Sequence, residues 1–223
     1  MLSDPARSDA PFDLTTERLE AFSDAVIAVI ITILALGLEI PEDTSWVTIR
    51  WHVGPFLIYV LAFVNLAIWW NNHHHLLRAT TRINGAVMWA NMGLLFFLSL
   101  IPVATAWLRT SFEAKPAAFF GIVSLCAALA YSVLVRTIIR ANGPDSVVAR
   151  SLHGDAKGLL SIGLFAAGVA IAALNAWVPM GRAAAAIPLA FYVAVAIIWL
   201  IPDRRFLHNH TADGSDSPPG HPQ

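Results

Sequence analysis

Asp24 is the carboxylate in this sequence that most needs a physical explanation. It follows Phe22 and Ser23 directly, lies six residues after Arg18, and opens on a run of fourteen residues without charge. A carboxylate inside a lipid-spanning helix is costly and normally pairs within a bundle. Two chemistries are open to it: a polar clamp between helices, or a site for a cation or a proton. His73, His74 and His75 offer a second cluster, directly after Trp69, Trp70, Asn71 and Asn72. Consecutive residues of a helix project in different directions, so these three do not converge on a metal as H-x-x-x-H would. They are expected to partner polar groups near a helix end. No metal site or cofactor is expected. No nucleophile stands beside a recognisable base and no glycine loop suits a phosphate, so an enzyme is not indicated.

A third group is almost featureless chemically. At about 100° per residue, Arg18, Phe22, Ala25, Val29, Thr32, Ile33 and Leu36 fall on one helical face, and Asp24 lies about 120° from its middle. The face is small or aliphatic with one hydroxyl, Thr32. Taken alone it can pack in a bundle, face lipid, or line a path.

The elements that carry these residues are membrane helices. Apolar residues make up 57% of the 223 and charged residues 13%, against about 45–50% and about 25% in soluble domains. Residues 51–77, 83–108, 116–135, 158–181 and 183–202 contain no Asp, Glu, Lys or Arg. Each can supply the ~20 residues that cross a hydrocarbon core of about 30 Å. A first span is expected from Leu19 to Ile40, ended by Pro41, making six. The leader before it is too acidic for a signal peptide, with Asp4, Asp9, Asp13 and Glu17 against Arg7 and Arg18.

Ten basic residues fall on the side of the termini and the even loops, and four (Arg50, Arg109, Lys115, Arg182) on the other. That bias puts both termini in the cytoplasm. Residues 1–17 then form a cytoplasmic segment, 18–202 the membrane domain, and 203–223 a disordered cytoplasmic tail rich in Ser, Pro, Gly, Asp and His. The loop 141–156 has room for a short interfacial helix. Asn65, Asn91 and Asn175 are candidates for hydrogen bonds between helices. A net charge of −1 leaves no footprint for nucleic acid. The lone Cys126 excludes an intramolecular disulfide.

Arg18-Leu-Glu-Ala-Phe22-Ser23-Asp24, the W-W-N-N-H-H-H-L-L run from Trp69, Asn91, and Ser99-Leu100-Ile101-Pro102 occur in one order across the first three spans. This set resembles the bacterial branch of the transmembrane protein 175 family, the endosomal and lysosomal potassium channels. The last three spans match only in number and hydrophobicity.

The resemblance implies an all-α membrane protein with six transmembrane helices per chain, assembled as a homotetramer around its first helices. It implies a potassium-preferring, leak-type cation channel in the cell membrane, with monovalent cations and lipid as its partners. Val29 would form the narrowest hydrophobic ring, with Ile33 and Leu36 as further layers and Thr32 as the residue of cation preference. Arg18, Phe22, Ser23, Asp24, Trp70, His73 and His74 would form the inter-helix network. There is no T-V-G-Y-G run, so a carbonyl filter is absent. The competing reading is a proton-coupled transporter that loads Asp24.

Overall fold

In the computed structural model, residues 15–39, 43–151, 156–178 and 186–201 are described, and they are all helix and connection. The chain runs α1 (Thr16–Leu36), α2 (Trp46–Arg78), α3 (Gly85–Ser99), α4 (Ile101–Thr110), α5 (Ala114–Asn142), α6 (Val147–Ser151), α7 (Ala156–Trp177) and α8 (Ala186–Leu200). Five segments are long and apolar enough to cross a membrane: α1, α2, the α3–α4 pair over Gly85–Thr110, α5 and α7. The shorter apolar helix α8 supplies the sixth expected span. Its 15 residues are fewer than the 183–202 run, part of which lies outside the described residues.

The third span is broken. Leu100 caps α3 at its C-terminus and α4 at its N-terminus, and Pro102 stands in the first turn of α4. Proline lacks the N–H that a continuous helix would use there. The short interfacial helix expected in the loop after residue 141 is α6.

One boundary differs from expectation. α1 starts at Thr16 and ends at Leu36, with Gly37 as its C-cap. The anticipated stop at Pro41 lies outside the described residues. Gly37 is pressed by Arg109: a Cβ there would stand 3.1 Å from the guanidinium Nη1. A third-span cation thus meets the negative end of the α1 dipole. The chain then enters α2 through a built cap. Ser45 Oγ accepts from the Thr48 N–H at 3.2 Å, and Asp43 accepts from the Ser45 N–H at 2.7 Å and the Thr48 hydroxyl at 3.0 Å. These bonds to its ionised form hold the Asp43 carboxyl below its ordinary range.

α5 is the central post, touching α3, α4, α7 and α8. The buried Tyr192 of α8 holds this half together. Its hydroxyl donates to the Ala117 carbonyl at 3.1 Å, and its ring lies against Phe120 and Phe165. Gly121 of α5 and Gly168 of α7 make room for that ring: a Cβ at either would overlap it. α1 sits at the other side, packed on α2, α3 and α4. Asn142, at the end of α5, ties the α2–α3 connection down. It accepts from the Thr81 N–H, the Thr81 hydroxyl and the Arg82 N–H, and donates to the Arg82 carbonyl.

Candidate functional site

Helix α1 has two faces. Leu19, Ser23, Ile27, Ile30 and Leu34 recur every three or four residues and are buried against its neighbours. The opposite face, carrying Phe22, Ala25, Val29, Thr32, Ile33 and Leu36, is exposed. Val29 is 55% exposed, Ile33 49% and Leu36 84%. This is the stripe the helical period marks out. Ala21, Ala28 and Ala35 border it at seven-residue intervals and are also exposed. The Thr32 hydroxyl donates to the Val29 carbonyl at 2.8 Å. Its proton is therefore spent on the backbone, and its oxygen lone pairs remain to meet a donor or a cation.

Two polar chains tie the flank of α1 to α2 and α3. The buried one is a directional relay. His73 Nε2–H donates to Asn91 Oδ1 at 2.7 Å, Asn91 Nδ2–H donates to Ser23 Oγ at 2.8 Å, and the Ser23 hydroxyl donates to the Leu19 carbonyl at 2.8 Å. The direction of the last two bonds fixes the amide, and the amide fixes the histidine tautomer. His73, Asn91 and Ser23 are fully buried. A buried polar group must be satisfied or it costs about 1–3 kcal/mol. His73 Nδ1 is one of two buried side-chain atoms without a hydrogen-bond partner among the described residues.

The second chain is charged and half-buried. Trp70 Nε1–H donates to Asp24 Oδ1 at 3.0 Å, and His74 Nδ1 meets Asp24 Oδ2 at 3.2 Å. The same Nδ1 lies 3.1 Å from Glu20 Oε1, which Arg78 Nε approaches at 3.4 Å. The Trp70 and His74 rings stack, with centroids 5.6 Å apart. Helical period places every member: Glu20 and Asp24 are four apart on α1, and Trp70, His74 and Arg78 are four apart on α2.

The structure thus brings Ser23 and His73 into one chain and Asp24, Trp70 and His74 into the other. Phe22 stands outside both, half-exposed on the open face. Arg18 is exposed, and both Asp24 oxygens are held by α2. His75 is exposed and meets only the edge of the His74 ring among its aromatic neighbours. Glu20 and Arg78 are members that sequence reasoning missed, although their spacing from Asp24 and His74 was the available signal. Asn91 links helices as expected, whereas Asn65 donates to Leu61 of its own helix. Adjacent tryptophans part company: Trp70 serves α1, and Trp69 packs edge-on against Tyr131 of α5.

Comparison with known proteins points one way. Residues 18–102 match the family described as the endosomal/lysosomal potassium channel TMEM175. The chain is 42% identical over 193 residues to a potassium channel of Chryseobacterium sp. (strain P1-3), covering 86% of this chain and 96% of that one. It is 32% identical over 128 residues to a potassium channel of Streptomyces collinus, covering 52% of this chain and 61% of the relative. Its fold is that of a solved lysosomal potassium-selective channel TMEM175 homologue from Chamaesiphon minutus. That match has a TM-score of 0.67 at 21% identity and covers 83% of this chain and 96% of that chain.

Proposed function

Because this chain belongs to the TMEM175 family of endosomal/lysosomal potassium channels, we propose that it is a potassium-preferring, leak-type cation channel of the cell membrane. In this reading four copies surround a pore lined by α1, with both termini in the cytoplasm. The observation that carries it is the open face of α1: one side of a membrane helix buried in its own chain, the other apolar and uncovered save for a single hydroxyl. One helix per chain cannot enclose a path, so the face needs copies of itself. The alanine seam beside it lets neighbouring helices approach closely.

Val29, Ile33 and Leu36 then form successive apolar rings. A narrow ring of this kind sheds water and sets a barrier to every ion. Thr32, about 4.5 Å along the helix from Val29, supplies four oxygens whose lone pairs replace part of a cation's hydration. Potassium holds its water less tightly than sodium and loses less on entry. Preference for it is modest, since no carbonyl cage takes part. A carrier loading protons on Asp24 is less well supported, because Trp70 and His74 hold both carboxylate oxygens in place.

The test is the reversal potential in planar bilayers under bi-ionic potassium and sodium. Thr32→Ala should lower the permeability ratio towards one. Val29→Ala, which removes eight methyls from the ring of four, should raise the current. Unchanged ratio and current in both variants would overturn the pore assignment.

A further inference from the structure

We propose that Glu20, Asp24 and His74 form a binding site for a divalent transition-metal ion of the zinc class, which fastens α1 to α2. The three consecutive histidines do diverge along α2. The site assembled here takes one of them and draws its other two donors from α1. The proposal goes beyond the channel reading and does not depend on what α1 lines.

The donor geometry is nearly in place. His74 Nδ1 lies 3.1 Å from Glu20 Oε1 and 3.2 Å from Asp24 Oδ2, and all three atoms fall within 4.8 Å of one another. A tetrahedral zinc ion with ligand bonds of about 2.0–2.2 Å holds neighbouring donor atoms about 3.4 Å apart. Two of the three edges, at 3.1 and 3.2 Å, already lie close to that length, and rotation of a carboxylate closes the third. One imidazole nitrogen and two carboxylate oxygens are a donor set that zinc accepts, with the fourth position left to water.

Outer contacts orient the donors. Trp70 Nε1–H holds Asp24 Oδ1 and so turns Oδ2 towards His74. Such a bond to the far oxygen is the usual support for a ligating carboxylate. The side chains of Glu20, Asp24 and His74 are 17%, 29% and 22% exposed, so a bound ion sheds part of its hydration. The two carboxylates outweigh the Arg78 guanidinium by one negative charge, which favours a dication. On binding, the metal takes the Nδ1 lone pair in place of a proton. The ring's one N–H then sits on Nε2, the nitrogen that does not ligate, and no electrons move.

The experiment uses the full chain with His208, His210 and His221 changed to alanine, so that the tail cannot bind metal. Zinc is titrated by calorimetry, and cobalt is followed by its visible absorption. We expect one zinc ion per chain and a cobalt spectrum of low coordination number. Glu20→Gln and His74→Gln should each weaken binding at least tenfold. Trp70→Phe should weaken it by about 10–100-fold through the freed carboxylate. Arg78→Gln, at a position 67% exposed, should tighten it by removing a competing cation. The proposal fails if the chain binds no zinc. It fails equally if Glu20→Gln and His74→Gln bind as the parent does, or if Arg78→Gln leaves the affinity unchanged or lower.

Discussion

Helix α1 and the α5–α7–α8 group meet the same solvent in opposite ways. The α5–α7–α8 group is saturated: Tyr192 fills the space that Gly121 and Gly168 leave, and its one polar atom is satisfied by Ala117. α1 is held on one flank by polar chains that pass through Ser23 and Asp24, and its opposite face is exposed among the described residues. Steric fit secures the first region and directional bonds secure the second. Substitutions should therefore fail differently in the two: by loss of the folded chain in one, and by changed behaviour of a folded chain in the other.

The contrast is tested most severely by a larger side chain in each place. Gly121→Val drives a side chain into the Tyr192 phenol, and overpacking of this kind costs about 3 kcal/mol or more. The expected result is little recoverable protein, seen as loss of a monodisperse peak on size-exclusion chromatography. If Gly121→Val folds with an unchanged melting temperature, the two regions do not differ as described.

Val29→Phe should do the reverse. It enlarges an exposed side chain, so the melting temperature in detergent should move by no more than about 0.5 kcal/mol warrants. Macroscopic current in bilayers should vanish. Asp24→Asn comes next. It removes the charge facing His74 while keeping the shape, and should destabilise the chain by about 1–3 kcal/mol, measured by thermal unfolding. A fully stable Asp24→Asn protein with altered ion preference would mean that the carboxylate faces the pore.

The smallest effect concerns the α2 cap. The Asp43 carboxyl ionises more readily when folded than its ordinary value of 3.8 because Ser45 and Thr48 donate to it. Its contribution is therefore present above that value and is lost as pH falls through the lower folded one. Asp43→Ala should melt slightly earlier than the parent at neutral pH, and the two curves should converge in strong acid.

Periodicity made much of α1 readable in advance. A stripe at three- and four-residue spacing has a defined direction whatever surrounds it, so Val29, Thr32, Ile33 and Leu36 could be grouped, and Asp24 separated from them, from the sequence alone. The W-W-N-N-H-H-H run lies near the end of α2, where Trp70, His73 and His74 take polar partners. Which partner each residue takes was not readable, because Trp69 and Trp70 differ only by a 100° turn and by the helices that happen to lie there. The Tyr192 lock was invisible for a stronger reason. It joins residues from three helices, Tyr192 and Ala117 lying 75 apart in the chain, and no local pattern distinguishes a glycine that admits a ring from one that merely sits in a helix. The approach of Arg109, far away in α4, to the C-cap Gly37 was unreadable for the same reason.

Tyr192 also has a bearing on the order in which the chain is made. It belongs to α8, which follows α5 and α7 in the chain, yet the cleft it fills is lined by those two helices. Until α8 arrives, the space beside Gly121 and Gly168 is unfilled. Closure of this seam thus waits for α8. A nascent chain that stalls before Ala186 therefore presents this seam unfilled.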